Sequence, residues 1–334
     1  MASITEQPIQ KTNRFSESRL GRFVFSQEAI LLVITIAAIA LLATQNERFL
    51  TMRNVSRELV LIFEVALIAL PMTLIIIAGG IDLSVGSTFG LSAIVLGFLW
   101  QDSGWSLEMA IVASLFTGLL CGFINGIVIV RLGVPPLIMT LATLALFRGF
   151  ALGISEARSA RGFPEWFTDG IGRGDFLGLP IQMWLLLVAI ALTWLVLART
   201  TFGRSLYAIG SNEVAARFAG LPVNRNKLLI YMYSGFMAAL ASVIFVSRVT
   251  TTRADMGSGH ELDVIAAVVL GGTSIFGGVG TIFGTILGLV LIQVLKNGLL
   301  LAGIKGDATI IMIGVILILA ILVNNFIQAR FRSV

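Results

Sequence analysis

Four polar side chains interrupt otherwise apolar stretches and are the groups best placed to handle a solute. They are Glu64 in LIFEVAL, Asp82 and Ser84 in GGIDLSVGS at 79–87, and Asn125 in GFING. A carboxylate facing lipid at the position of Glu64 would cost at least ~2–3 kcal/mol, so it should point inward, to a partner or to water. The glycine pair ahead of Asp82 releases the backbone from helix. Asp82 or Ser84 can then accept hydrogen bonds from the open N–H groups of the next helix, either as a plain cap or as part of a solute path. Small residues around Asn125 permit close helix contact, and its amide can bond across that contact, as packing glue or as a path-lining group. Glu64, Asp82, Ser84 and Asn125 are the candidate translocation residues. Arg148, near the end of its apolar run, is expected to snorkel to the interface. His260, Glu261 and Asp263 place one imidazole beside two carboxylates. Such a set can bind metal or act as a general base, but no nucleophile or second histidine accompanies it, and loop-end capping is expected.

Other chemistries are excluded. Cys121 and His260 are each the only residue of their type, which rules out a disulfide framework, a cysteine metal cluster and a histidine zinc site. No P-loop is present, so any ATP that drives this chain is hydrolysed by another one. No cofactor is expected, and the chain is not expected to be an enzyme.

The elements that must position these residues are membrane spans. Apolar residues make up 57% of the 334 positions and charged residues 12%, with a mean hydropathy of +0.97. Soluble domains average ~25% charged, so this surface must face lipid. A spanning helix needs ~20 predominantly apolar residues. Runs occur at 29–43, 59–78, 83–100, 109–130, 137–154, 181–198, 228–246, 264–276, 282–301 and 309–323. The first lacks a small-residue cleavage site and reads as a retained span. The run at 264–276 is short enough to be re-entrant or broken. Apolar stretches that meet a glycine pair and restart, at 74–90 and 264–284, echo each other as an internal repeat. The expected fold is therefore all-α, a polytopic transmembrane bundle of about ten spans with an internal repeat and broken helices.

The net charge of +5 resides at the ends of the runs, where it orients the chain and does not signal nucleic acid. The densest loop, 199–227, carries Arg199, Arg204, Arg217, Arg225 and Lys227 and is expected in the cytoplasm. This gives a cytoplasmic tail over 1–28, a transmembrane domain over 29–326 and a cytoplasmic tail over 327–334, with loop 155–180 outside. Within the basic loop, Asn212 can cap a short helix over 213–219 that Gly220 closes. Its small face of Ala215, Ala216 and Ala219, flanked by Val214, Phe218 and Leu221, reads as a docking plug for another protein.

GGIDLSVGS, the Asn–Ala–Ala–Gly loop of Asn212, Ala215, Ala216 and Gly220, and ELDVIAA at 261–267 running into GGTSIFGGVGT resemble one known family. It is the permease family of ribose-, xylose-, rhamnose- and autoinducer-2-type ABC importers, and the resemblance covers roughly 50–327. It implies two permeases, identical or paralogous, an ATP-binding cassette ATPase, a periplasmic or tethered substrate-binding protein, a sugar-like solute and a bacterial inner membrane. It also implies that Gly210–Gly220 is the coupling helix seated on the ATPase. Pro71, in LPMT, stands where ribose-type members usually have glycine; with 163–169 and 176–180 it looks closer to the rhamnose and autoinducer-2 permeases. The alternative is an ion-coupled secondary transporter with Glu64 and Asp82 as ligands. An intramembrane enzyme would lack a nucleophile–base pair.

Overall fold

The computed structural model describes residues 27–156 and 158–304, together with 311, 314 and 315. The chain forms α1 (Gln27–Gln45), α2 (Met52–Ile77), α3 (Val85–Gly97), α4 (Leu107–Leu132) and α5 (Pro136–Ser155). A short β1–β2 hairpin (Asp175–Phe176, Leu179–Pro180) precedes α6 (Ile181–Arg199), α7 (Thr201–Ser211) and α8 (Glu213–Phe218). Then follow α9 (Val223–Val249), α10 (His260–Leu270) and α11 (Ile282–Leu301). Seven of these helices are long and apolar enough to cross a membrane: α1, α2, α4, α5, α6, α9 and α11. The all-α polytopic bundle is as expected.

Two of the ten expected runs form shorter helices. The run at 83–100 yields α3 with 13 residues, because the chain is still in the break before Val85 and widens into a π turn at Phe98–Asp102. The run at 264–276 yields α10 with 11 residues; it begins earlier, at His260, and stops at the next glycine pair. The run at 309–323 falls largely outside the described residues.

The two glycine stops are built alike. Gly79 N–H bonds Ile76 O and Gly80 N–H bonds Ile75 O; Gly272 N–H bonds Val269 O and Thr273 N–H bonds Val268 O. Gly79 and Gly272 hold the left-handed backbone at φ 79° and 95°, where a side chain would be strained. The equivalence is thus Gly79 with Gly272, one residue removed from the match of the two glycine pairs in the sequence.

Helices α2 and α9 form the centre. In the most apolar stretch of α2, 78% of residues are buried, against 11% in α1 and 22% in α5. The α4–α9 contact depends on Gly118, Gly122 and Gly126, spaced four apart on one face of α4. A methyl on Gly118 would strike Gly235 O, and one on Gly122 would strike Tyr231 O. Such small-residue faces allow backbones to approach where lipid provides no hydrophobic drive for helix association. The opposite face of α4 exposes Val112, Phe116, Leu120 and Phe123, the side suited to lipid.

Candidate translocation path and coupling segment

The first break gathers three of the four candidate path residues. Asp82 Oδ1 accepts from the Ser84 N–H at 3.0 Å and from its hydroxyl at 2.7 Å. Asp82 Oδ2 accepts from the Ser234 hydroxyl of α9 at 2.9 Å. The Ser84 oxygen in turn accepts from Asn125 Nδ2 of α4 at 2.8 Å, and Asn125 Oδ1 accepts from the Thr143 hydroxyl of α5 at 2.8 Å. Thr140 donates to Ile81 O at 3.1 Å. All of these side chains are buried. The Asp82–Ser84 bonds close a turn ahead of α3, and neither side chain caps that helix. A buried carboxylate without compensation is costly; here three donors meet it, and no cation does among the described residues.

Glu64 lies apart from this chain. Arg248 of α9 donates to Glu64 Oε1 at 2.6 Å, and its guanidinium lies 5.2 Å from the centre of the Phe245 ring. Of the two sequence readings for Glu64, the structure presents the buried pair.

Arg148 does not snorkel. It bonds Ala254 O, Met256 O at 3.0 Å and Gly86 O at 3.1 Å, because three carbonyls inside the bundle satisfy its fork better than a distant interface. Those carbonyls belong to α3 and to the segment 250–259, which runs down the glycine face of α3. A methyl on Gly97 would lie 2.6 Å from Thr252 Oγ1, one on Gly90 would lie 2.9 Å from Ala254 O and Met256 O, and one on Gly86 would strike Gly257 O.

Residues 260–263 do not converge on a site. Glu261 Oε1 accepts from Gly259 N–H at 3.2 Å, the reach-back expected of a cap. His260 packs edge-on against Phe89, and Asp263 pairs with Lys296 at 2.7 Å. Among the described residues no group of side chains is arranged to hold a metal ion.

In the basic loop, Asn212 Oδ1 accepts from Ala215 N–H at 2.9 Å and starts α8. Gly220 at φ 79° ends it, with Gly220 N–H on Arg217 O and Leu221 N–H on Ala216 O, both at 3.0 Å. Glu213 ties the helix down through Lys227 at 2.5 Å and Arg217 at 2.8 Å. Burial alone would push the Glu213 carboxyl up, but bonds from Lys227 and Arg217 outweigh it and hold the group below its usual range. Val214, Ala215, Phe218 and Ala219 face outward, with Phe218 88% exposed.

Two of the residues expected on the docking face point elsewhere. Ala216 is buried against its own chain. Gly210 marks a backbone crossing: Gly278 N–H bonds Ile77 O at 2.8 Å, and a methyl on Gly210 would lie 2.5 Å from Gly278 N. With Tyr207 donating to Gly280 O at 2.8 Å, the end of α2 and the loop of the second break meet beside α7, just ahead of α8. The sequence reading missed Ser234, Thr143 and Arg248. Of these only Arg248, a charge at the end of an apolar run, left a signal.

A bundle of apolar helices with two broken members and a buried polar seam defines a polytopic membrane permease. Residues 54–321 match the family described as branched-chain amino acid transport system / permease component, and the chain belongs to that family. The autoinducer 2 import system permease protein LsrD of Yersinia enterocolitica is 38% identical over 309 residues, covering 89% of this chain and 91% of the relative. LsrD of Photorhabdus luminescens is 37% identical over 303 residues, covering 89% and 90%. LsrD of Escherichia coli K12 is 38% identical over 299 residues, covering 88% and 89%. No solved structure matches the chain. The chain is the membrane-spanning permease subunit of an ATP-binding cassette importer.

Proposed function

We propose that this permease imports a sugar-like solute of the autoinducer-2, rhamnose or ribose type across a bacterial inner membrane. A separate ATP-binding cassette ATPase, seated on α8, supplies the energy. The observation that carries this reading is the exposed Phe218 on a six-residue helix capped by Asn212 and anchored by Glu213. That helix adjoins the crossing where both glycine breaks meet, so a push on α8 reaches the seam of Asp82, Ser84 and Asn125, which is assigned to the solute path. The transmembrane domain extends over 29–326, with loop 199–227 and the tails 1–28 and 327–334 in the cytoplasm. Ten crossings are counted by adding the broken α3 and α10 and the apolar run at 309–323 to the seven long helices. The two matching glycine stops are the core of the internal repeat. A second permease, identical or paralogous, and a periplasmic or tethered binding protein complete the transporter. The relatives' names point to the solute class. The ion-coupled alternative needs Glu64 as a ligand, and Arg248 engages that carboxylate.

The test separates docking from folding. Phe218→Asp is expected to insert and melt like the parent yet lose ATPase co-purification and uptake. Ala216→Asp, buried in its own chain, is expected to lose folding as well. Normal ATPase recovery with Phe218→Asp would sink the assignment. Orientation is read in a Cys121→Ser background with a membrane-impermeant maleimide. Leu177→Cys, on an exposed loop residue, should label in intact cells, and Ser211→Cys only after lysis. Thr168 is buried and is a poor reporter.

A further inference from the structure

At the end of the bundle away from α8, the π turn that follows α3 and the chain just beyond α5 line a half-open cavity of about 200 Å³. Its lining combines an exposed aromatic ring, Phe98, with a carboxylate, an amide, a guanidinium and hydroxyls, supplied by Asp102, Gln101, Arg158, Ser159 and Thr252. At ~30 Å³ per water it has room for about six waters. Below the ~300 Å³ of a drug-sized pocket, it has room for one small molecule or a single sugar unit.

The cavity's polar groups are unequally engaged. Gln101 Oε1 accepts from Arg161 N–H at 2.9 Å, which leaves its amide N–H groups for a ligand. Thr252 Oγ1 accepts from Ala160 N–H at 3.1 Å and keeps its own proton to donate. Arg158 is paired with Glu156. Asp102 makes no hydrogen bond or ion pair among the described residues, although Arg158 feels its charge. A free carboxylate can accept two hydroxyl protons at once, and an amide can donate beside it. The apolar face of an aromatic ring covers carbon-bound hydrogens. Adjacent hydroxyls on a carbon ring meet all three demands. An amino acid would need a cation for its carboxylate, and the one lining the cavity, Arg158, is turned to Glu156 in an exposed pair.

The position fits a way in. Thr252 forms part of the lining and also begins the segment that descends the glycine face of α3 to Gly86. The thirteen residues of α3, at ~1.5 Å each, separate the cavity from the Asp82–Ser84 seam by about 20 Å. We infer that this cavity is an outer receiving site for a monosaccharide-sized polyol, with Asp102 accepting its hydroxyls and Phe98 covering its carbon face. The inference rests on the import reading above, which sets this end outside.

The experiment needs no ATPase. The full chain in lipid nanodiscs is mixed with D-ribose, D-xylose or L-rhamnose, and with L-leucine as the control, and saturation transfer from protein to solute protons is recorded by NMR. Transfer to the ring protons of at least one sugar and none to leucine is expected. Asp102→Asn, at an exposed position, should cut the transfer at least fivefold while the melting temperature holds; Phe98→Ala should do the same. No transfer to any of the sugars, transfer unchanged in Asp102→Asn, or preference for leucine would overturn the site. A transporter that still binds its ATPase and hydrolyses ATP normally, with no sugar transfer here, refutes the cavity alone. Loss of ATPase binding by the Phe218 variant is read independently, so the two readings fail separately.

Discussion

Glu64 and Asp82 are both buried carboxylates in the interior of the bundle, yet Glu64 faces the guanidinium of Arg248 at 2.6 Å, whereas Asp82 is met by two serine hydroxyls and one backbone N–H. A full counter-charge inside a low-dielectric interior fixes two helices together and leaves little to exchange. Hydroxyl donors can be traded for the hydroxyls of a passing solute, since one neutral donor replaces another at small cost. The pair around Glu64 is therefore a brace between α2 and α9, and the seam around Asp82, proposed above as the solute path, is held by neutral donors alone.

The largest expected effect lies on the brace. Glu64→Gln strands a guanidinium that is only 17% exposed, and removing one partner of a fully buried pair costs about 3–5 kcal/mol, an upper bound here. The melting temperature in detergent should fall sharply, and Glu64→Gln with Arg248→Met should recover most of it. A single variant that melts like the parent would remove the brace from the comparison. Asp82→Asn should act the other way. Its amide oxygen still accepts from Ser84, no cation is stranded, and the desolvation cost of a buried charge is removed, so the melting temperature should fall far less than in Glu64→Gln while uptake falls about tenfold. Unfolding of Asp82→Asn beside a silent Glu64→Gln would invert the assignment.

The smallest effect concerns the anchor of α8. The folded Glu213 carboxyl is held below its ordinary value of about 4.3. A depressed carboxylate stabilises fully above its unfolded pKa and loses that contribution as pH falls through the folded one. The pair is partly exposed and screened, so the gain is modest, on the order of 0.2–1 kcal/mol. A nitroxide on Ala215→Cys, in the Cys121→Ser background, should be immobile at neutral pH and loosen as the pH falls below the usual carboxylate range. Glu213→Gln should show the looser spectrum at neutral pH. A spectrum insensitive to both would place the anchor elsewhere.

Elements governed by neighbours in the chain were legible from residue order alone. Asn212 and Gly220 bracket α8 as expected, because a cap and a left-handed stop are decided by hydrogen bonds spanning three to five residues. Both glycine pairs halt their helices for the same reason, and the apolar runs located seven helices long and apolar enough to cross a membrane, because length and composition are local properties. Asp82, Ser84 and Asn125 were recognisable as polar groups with nowhere apolar to go. Only tertiary structure decided whom each would meet. Asn125 finds Ser84 across 41 residues and Glu64 finds Arg248 across 184, since such partners depend on how helix faces are rotated against one another. The same rotation turned Ala216 inward and Phe218 outward on a six-residue helix, and drew Arg148 away from the interface to the carbonyls of a segment that no local pattern had marked.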